Sequence, residues 1–426
     1  MVAIFAAVVA FLTYASIYAY RKPFTVATFD GISFWGVPYQ TLLIISQGLG
    51  YMFSKFYGIK FISELKRLGR WKTSAVLVSV AWLCLFLFAI VPPPYGMLFM
   101  FGNGFMLGFM WGIVFSYIEG RRATDFIGSA MAVSFIFAGG FTRSVAVWIR
   151  DHWGVAEQWV GFITGLVFLL PLILFMYLLE RVPPPDQEDV NERTVRLPMN
   201  RDDRKNFIKQ FGLGIVVLII TYLVLTIMRD VRDNFMANIW NELGYGSKPA
   251  IFTRTETITS LIVLLTMSML VLIRKNIRAF RLAHMVIIAG FLIAGVSSAL
   301  FLNGQMDGAL WMQLVGLGLY LGYIPFNCIF FERMIASFRI IGNVGFLIYI
   351  VDAYGYLGSS FVMLSKEIFQ IKLTWSQFYP NSVLLFSVIG ISGTIISLLY
   401  FNKKYAKQHS LPSDIPAQIR SAGIIQ

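Results

Sequence analysis

The sequence predicts an all-α integral membrane protein with about twelve transmembrane helices, arranged as two pseudo-symmetric six-helix bundles. The 426-residue chain is 57% hydrophobic and only 13% charged, with a mean hydropathy of +0.70. Soluble domains carry about 25% charged residues. Its apolar residues fall into stretches of ~20, the length that crosses a bilayer as a helix. One long polar stretch, residues 181–205, divides these into two sets of six.

Twelve apolar stretches qualify as membrane spans. We place them at residues 2–29, 37–59, 73–91, 96–118, 126–149, 157–179, 208–239, 249–273, 282–302, 309–331, 340–364 and 380–401. The stretch between the sixth and the seventh contains three successive prolines and charges of both signs, which is typical of a linker. We therefore expect an N-terminal bundle over 1–180, a cytoplasmic linker over 181–206, a C-terminal bundle over 207–401 and a cytoplasmic tail over 402–426.

Lysine and arginine are distributed very unequally among the loops. One set of alternate loops, together with the tail, contains 23 of them, whereas the opposite loops contain four. Positively charged loops stay in the cytoplasm, so both termini are predicted to be cytoplasmic, in the inner membrane of a bacterial cell. This topology explains most of the net charge of +13. Membrane lipid is therefore an expected partner, and nucleic acid is not.

One pattern occurs twice, at matching places in the two predicted bundles. Tyr14 precedes Arg21 by seven residues, and 208 positions later Tyr222 precedes Arg229 by seven. In bundles related by a two-fold axis, the first and seventh helices face each other across the central cavity. Two arginines meeting there would bind phosphate or carboxylate through their planar guanidinium groups. Alternatively, each arginine anchors the outer end of its helix at the membrane interface.

Two tyrosines share the predicted helical face of Arg21. Tyr14 and Tyr18 are four residues apart, and Arg21 follows Tyr18 by three, so all three project from one side of a helix. Their hydroxyl groups would donate hydrogen bonds to an oxyanion. The alternative is an aromatic belt at the membrane interface.

Further charged residues lie inside or at the edge of the spans, where each costs at least ~2.5–3.5 kcal/mol. The cations are Lys22, Lys55, Arg143, Arg232 and Arg254, and the acids are Asp230, Asp233, Glu256 and Asp352. Since buried charges are expected to be paired, we predict that Lys22, Asp233 and Glu256 form one network. Asp352 has no evident partner, so it is a candidate proton-binding site; otherwise it is a small polar residue within helix packing.

Glycines also repeat between the two predicted bundles. Gly104 and Gly108 lie in the fourth span, and Gly318 and Gly322 follow 214 positions later in the tenth. Glycines four residues apart allow two membrane helices to approach closely. We expect these residues to serve helix packing.

Several motifs resemble those of a known family. The short basic loop at residues 58–72 resembles the loop signature of the major facilitator superfamily. More narrowly, Tyr14 and Tyr18 ahead of Arg21, and the run 50–56 that contains Lys55, resemble the organophosphate:inorganic phosphate antiporters of that superfamily. Weaker matches are Arg229, Glu256, Gly104-x-x-x-Gly108-x-x-Trp111 and the run 355–359. The resemblance implies the superfamily fold and a secondary active transporter that moves a small anionic, phosphorylated metabolite by alternating access and antiport.

The resemblance also implies roles for individual residues. Substrate-binding residues would be Arg21 and Arg229 on the phosphate, with Lys55 nearby; we add Tyr14 and Tyr18. Gating or coupling residues would be Lys22, Asp233 and Glu256, which exchange salt bridges as the substrate binds; we add Asp230, Arg232 and Asp352. The chain departs from the family in lacking a histidine in the fifth span and in carrying Arg143 and Arg232 as extra cations.

Other functional classes remain as alternatives or are excluded. The sequence shows no nucleophile–base arrangement, metal cluster or phosphate-binding glycine loop. We therefore expect neither an enzyme nor a nucleotide-driven pump, and no cofactor or metal. We also expect a monomer. The alternatives are a proton-coupled carrier of another organic anion, with Asp352 or Glu256 titrating, a transporter-like membrane sensor, and an exporter of lipids or drugs.

Overall fold

The computed structural model describes residues 2–64, 67–119, 121, 124–185, 201–246, 248–338, 344–369, 371 and 373–409. The first half, before the predicted linker, contains α1 (Val2–Tyr18), α2 (Tyr39–Glu64), α3 (Arg67–Ile90), α4 (Gly96–Gly108), α5 (Met110–Ile118), α6 (Thr124–Trp153), α7 (Glu157–Val167) and α8 (Leu169–Glu180). The second half contains α9 (Arg201–Asn234), α10 (Met236–Glu242), α11 (Ala250–Val271), α12 (Asn276–Leu302), α13 (Gly308–Pro325), α14 (Phe331–Phe338), α15 (Val344–Ile368) and α16 (Trp375–His409). Residues 186–200 of the predicted linker and 410–426 of the predicted tail lie outside the described residues.

Each of the twelve predicted spans contains α-helix, which confirms the all-α membrane fold class. Within the described residues, eight helical segments are long and apolar enough to cross a membrane, and α7 with α8, bent by 42°, forms a ninth. The tenth predicted span runs from α13 through a π-helix at Phe326–Phe330 into α14. Pro325 lies at this junction. A proline removes one helical hydrogen bond, and such sites often contain irregular helical turns.

The first span differs from its prediction over residues 2–29, because α1 ends at Tyr18. A turn follows and leads into a short 3₁₀-helix at Pro23–Val26. Proline has no backbone N–H and is tolerated at a helix start rather than in its interior, which is why the α-helix cannot continue through Pro23. Arg21 and Lys22 therefore lie in the turn, and the backbone of that turn directs their side chains.

A small hairpin connects this turn to α2. Strand β1 (Ser33–Phe34) pairs antiparallel with β2 (Val37–Pro38). The two residues at its tip, Trp35 and Gly36, both have positive φ, 55° and 77°. Positive φ at both central positions is typical of the type I′ turn that closes two-residue hairpins. We call the end of the bundle at which α1 ends and α2 begins the α1–α2 end.

The two halves contact each other mainly through two helix pairs: α6 packs against α11, and α2 packs against α15. Counted in spans, the fifth span of the first half packs against the second span of the other half. Reciprocally, the second span of the first half packs against the fifth span of the other half. This reciprocal pairing is what a pseudo-two-fold arrangement produces. Between α6 and α11, a Cβ added at Gly140 would lie 2.7 Å from the side chain of Glu256, so the two helices approach closely.

The repeated glycines lie at helix contacts, which confirms their predicted packing role. A Cβ at Gly104 would collide with the backbone of Gln47 in α2, and one at Gly108 would lie 2.7 Å from the Cβ of Ser54. In the second half, a Cβ at Gly318 would reach the backbone of Gly290 in α12. Close packing of α4 on α2 fixes the position of the α2 side chains that face the interior.

Candidate functional site

Arg21 points into the interior of the bundle. Its backbone N–H donates to the carbonyl oxygen of Tyr18 at 3.0 Å, and the side-chain amide of Gln47 donates to its carbonyl oxygen at 3.0 Å. The guanidinium carbon lies 3.8 Å from the ring centroid of Tyr51 in α2 and 5.9 Å from that of Tyr18. Its side chain is buried, and Nε has no hydrogen-bond partner among the described residues.

Arg229 occupies the corresponding place in α9. Its guanidinium carbon lies 4.3 Å from the ring centroid of Tyr323 in α13 and 6.0 Å from that of Phe135 in α6. The nearest carboxylate oxygen, from Asp230, is 3.9 Å from its terminal nitrogen, beyond hydrogen-bond distance. Among the described residues, two of its buried nitrogens, Nε and Nη2, have no hydrogen-bond partner. Both arginines are therefore stacked on tyrosines, and both have buried N–H donors that find no acceptor among the described residues.

Aromatic rings connect the two arginines across the halves. Phe135 lies 6.4 Å from the ring of Tyr18 and 6.1 Å from that of Tyr323, which are the rings beside Arg21 and Arg229. On the other side, Tyr51 lies 5.1 Å from Tyr356 of α15. The geometry thus brings Arg21 and Arg229 to one aromatic-lined interior.

The two predicted tyrosines belong to the same interior. Tyr14 and Tyr18 are both buried, with their rings 5.6 Å apart. Tyr14 also packs edge-to-face on Trp111 at 5.0 Å. Both tyrosines are therefore buried within the bundle.

Asp233 of α9 holds the two halves together near the α1–α2 end. It forms ion pairs with Lys22 and with Arg143 of α6, the latter at 3.0 Å. Lys22 also donates to the side chain of Asn234 at 2.9 Å. Arg143 donates in addition to the hydroxyl of Thr25 at 3.0 Å. We call Lys22, Arg143 and Asp233 the Asp233 cluster.

The predicted network of Lys22, Asp233 and Glu256 is only half correct. Glu256 pairs instead with Arg232 at 2.7 Å, and Arg232 also donates to the carbonyl oxygen of Met312 at 3.1 Å. Adjacent residues on a helix point about 100° apart, so Asp233 faces the first half while Arg232 faces α11 and α13. The sequence reasoning treated Arg143 only as an extra cation. A single arginine within an apolar span nevertheless indicates that a carboxylate from another helix pairs with it.

Asp352 of α15 has partners, contrary to the sequence prediction. Its Oδ1 accepts a hydrogen bond from the hydroxyl of Tyr222, and its Oδ2 lies 3.9 Å from the ammonium of Lys55. Lys55 belongs to α2, which is nearly 300 residues away in sequence, so a local pattern could not reveal the pair. The ammonium of Lys55 also lies 4.8 Å from the ring centroid of Tyr51.

Asp230 accepts a hydrogen bond from the hydroxyl of Ser359 in α15 at 2.8 Å. It therefore connects α9 with α15 inside the second half. Arg254 is exposed on α11 and takes no part in the interior cluster.

Comparisons with known proteins identify the family and the fold. The model of a family of unknown function, DUF5690, matches residues 23–404. The chain belongs to DUF5690. No curated protein matches this sequence.

Solved transporter structures share the architecture of this DUF5690 chain. The nucleoside transporter NupG is 14% identical, with 94% of this chain and 99% of that chain covered and a TM-score of 0.61. A D-xylose-proton symporter is 14% identical, with 93% and 96% covered and a TM-score of 0.61. A bacterial homologue of the iron transporter ferroportin is 14% identical, with 95% and 99% covered and a TM-score of 0.57.

These likenesses establish the fold. The DUF5690 chain has the major facilitator superfamily fold, which it shares with a proton:xylose symporter of that superfamily at a TM-score of 0.56, and it is an integral membrane protein. The narrower resemblance to organophosphate:inorganic phosphate antiporters stays a prediction.

Proposed function

We propose that this DUF5690 chain is a secondary active transporter that moves a small anionic, phosphorylated metabolite across the membrane by alternating access and antiport. One observation carries the proposal: Arg21 and Arg229, one from each half, share one interior and keep buried N–H donors without hydrogen-bond partners among the described residues. Unpaired buried donors of charged groups are costly, and an oxyanion would accept hydrogen bonds from both guanidinium groups.

The balance of charge in the interior supports a substrate with more than one negative charge. Six buried cations there accompany four buried carboxylates, so two positive charges are left among the described residues. The cations are Arg21, Lys22, Lys55, Arg143, Arg229 and Arg232, and the acids are Asp230, Asp233, Glu256 and Asp352. Lys366 is also buried, but it lies at the end of α15 beside Glu367. A phosphate monoester carries about −1.5 to −2 at pH 7, which matches this surplus.

The contacts between the halves support alternating access. The Asp233 cluster joins α9 to the first half at the α1–α2 end, and the Lys55–Asp352 pair joins α2 to α15 on the other side of the arginines. Polar contacts across an interface can open and close without unfolding either half. A substrate that neutralises the arginines would favour the closed arrangement, since a ligand shifts an equilibrium only by binding one state better than the other.

The orientation and setting belong to the same proposal. With both termini in the cytoplasm of a bacterial cell, as the loop charges predict, the α1–α2 end faces the outside. The transporter would function as a monomer with one bundle over 1–180 and the other over 207–401.

The proposal is tested by ligand binding and by exchange. Purified protein should be stabilised against heat by inorganic phosphate and by phosphate monoesters, because ligands that bind only the folded state raise its apparent stability. Proteoliposomes loaded with phosphate should exchange labelled phosphate when the pH is equal on both sides. The absence of both binding and exchange would contradict the proposal, and uptake that requires a pH gradient would favour the proton-coupled alternative.

Substitution of the arginines tests the site itself. Arg21→Lys and Arg229→Lys keep the charge but lose the planar guanidinium group, so each should weaken phosphate binding at least about tenfold. The measurement is the dissociation constant from isothermal titration, with Arg254→Lys on the exposed face of α11 as the control. Wild-type affinity in both interior variants would show that phosphate binds elsewhere.

A further inference from the structure

The carboxylate of Asp230 lies beside Arg229 but does not hydrogen-bond to it. Its Oδ1 is 3.9 Å from Nη2 of Arg229, whereas charge-assisted N–H···O bonds measure about 2.7–2.9 Å. The other oxygen, Oδ2, accepts a hydrogen bond from the hydroxyl of Ser359 in α15 at 2.8 Å. Among the described residues, Oδ1 has no hydrogen-bond donor.

This carboxylate belongs to the interior that holds both arginines. Arg229 keeps 7% of its side-chain surface accessible, and Asp230 keeps 8%. Ser359, which holds Asp230, follows Tyr356 by three residues on α15. The ring of Tyr356 lies 5.1 Å from that of Tyr51, the ring on which Arg21 stacks. An anion bound between the arginines would therefore lie close to Asp230.

Arg229 and Asp230 offer a donor and an acceptor side by side. An oxyanion that accepts a hydrogen bond from Nη2 of Arg229 brings a neighbouring oxygen close to Oδ1 of Asp230, because these two atoms are only 3.9 Å apart. An oxygen that carries a proton can donate it to the carboxylate, whereas a bare anionic oxygen is repelled. An ammonium group would be repelled by Arg229. The two residues together therefore select an oxyanion that keeps a proton.

We propose that Asp230 determines the specificity of the anion site, by accepting a hydrogen bond from a P–OH group of the phosphate bound at Arg21 and Arg229. This inference rests on the proposed function and adds the residue that discriminates among oxyanions. The family resemblance assigns no role to Asp230. Ser359 is a positioning residue, because its hydrogen bond orients the Asp230 carboxylate.

Phosphate and sulfate differ in the proton that this arrangement requires. In mildly alkaline solution both inorganic ions are tetrahedral dianions, but phosphate keeps one proton and sulfate keeps none. A phosphate monoester keeps a proton in its monoanionic form, which is populated near neutral pH because its second pKa is about 6. Sulfate esters and ionised carboxylates have no such proton, so Asp230 would select against them.

Isothermal titration of inorganic phosphate and of sulfate, at one mildly alkaline pH, tests the inference. The two ions have the same charge and shape, so the ratio of their dissociation constants reports the effect of the proton. Wild type should bind phosphate at least about tenfold more tightly than sulfate, since hydrogen bonds to charged groups are among the stronger ones.

Variants assign this preference to Asp230. Asp230→Asn should reduce it to less than about threefold and strengthen sulfate binding, because the amide group donates to a bare oxygen and no longer repels it. Ser359→Ala keeps the carboxylate but not its orientation, so it should lower the preference to a smaller extent. Asp151→Asn makes the same change at the exposed end of α6, and this control should retain the wild-type preference.

The outcomes separate this inference from the proposed function. Equal affinities of wild type for phosphate and sulfate would overturn the role of Asp230 and leave the anion site standing. A wild-type preference in Asp230→Asn would also overturn it, because selection would then not require the carboxylate. If Asp230→Asn does not fold, a wild-type preference in Ser359→Ala would overturn it instead. If neither ion binds wild type, the proposed function itself fails, and this inference fails with it.

Discussion

At the scale of single residues, the interior cations differ in how closely they meet a carboxylate. Lys22 and Arg143 share Asp233, and Arg232 pairs with Glu256. Breaking a buried pair by removing one partner is strongly destabilising, since the remaining charge is left uncompensated. The Asp233 pairs join the two halves, whereas the Arg232–Glu256 pair lies within the second half. Among the described residues, no carboxylate oxygen lies within hydrogen-bond distance of Arg21 or Arg229, so an anion could still bind their guanidinium groups.

The Asp233 cluster gives a stability prediction. Asp233→Asn leaves two buried cations in the cluster without their carboxylate, so we expect the protein to lose about 3–5 kcal/mol of unfolding free energy. Thermal unfolding in detergent measures the loss. Adding Lys22→Met to this variant should recover part of it, because one uncompensated charge is removed.

A neighbouring acid supplies the control for this prediction. Asp230→Asn removes a carboxylate whose nearest cation atom, on Arg229, is 3.9 Å away, and it can keep the hydrogen bond from Ser359. It should lower stability by less than Asp233→Asn does, because it removes no carboxylate at hydrogen-bond distance from a cation. An Asp233→Asn protein as stable as wild type would show that the cluster does not hold the halves together.

At the scale of helices, the sequence predicts features that depend on local patterns. It misses features that depend on how each helix is rotated about its own axis. The spans follow from apolar length, and the matched arginines follow from an internal repeat, so both can be read from the chain. The partner of Glu256 depends on which way neighbouring residues of α9 point, and the Lys55–Asp352 pair depends on how α2 meets α15. The prediction missed the end of α1 at Tyr18 because the span was drawn from apolar composition, although Pro23 indicates that the α-helix ends before it.

The contact between α2 and α4 gives a prediction at this scale. Gly104→Leu would place a side chain against the backbone of Gln47, which cannot move away as a flexible side chain could. We expect a loss of about 1–3 kcal/mol or more from overpacking, together with weaker phosphate binding, because Gln47 and Tyr51 on α2 contact Arg21. Thermal unfolding and isothermal titration measure the two effects.

Gly48 on α2 is the matched control, because a Cβ there meets nothing within 4 Å. Gly48→Ala should be neutral or stabilising by up to about 1 kcal/mol, the difference in helix propensity between the two residues. If Gly104→Leu matched Gly48→Ala in stability and in phosphate affinity, α4 would not approach α2 as closely as the structure shows.

At the scale of the whole molecule, the α1–α2 end is closed by contacts that cross between the halves. Besides the Asp233 cluster, the side-chain amides of Gln40 and Asn238 hydrogen-bond to each other at 3.1 Å. On the α6–α11 side, the hydroxyl of Thr253 donates to that of Ser144 at 2.6 Å. Such contacts must separate if the halves rock around a central site, and they must re-form after the substrate has passed. Preventing this separation should therefore stop transport without preventing folding.

A disulfide between α6 and α11 tests this requirement. Ser144 and Thr253 have short side chains already in contact, so Ser144→Cys with Thr253→Cys should form a disulfide, in a background in which Cys84 and Cys328 are replaced by serine. Oxidation should abolish exchange of labelled phosphate in proteoliposomes, and a reducing agent should restore it. Ser144→Cys alone, treated identically, should retain exchange throughout. Full exchange in protein shown by mass spectrometry to be cross-linked would contradict alternating access at this end, because the locked helices could then remain together through the whole transport cycle.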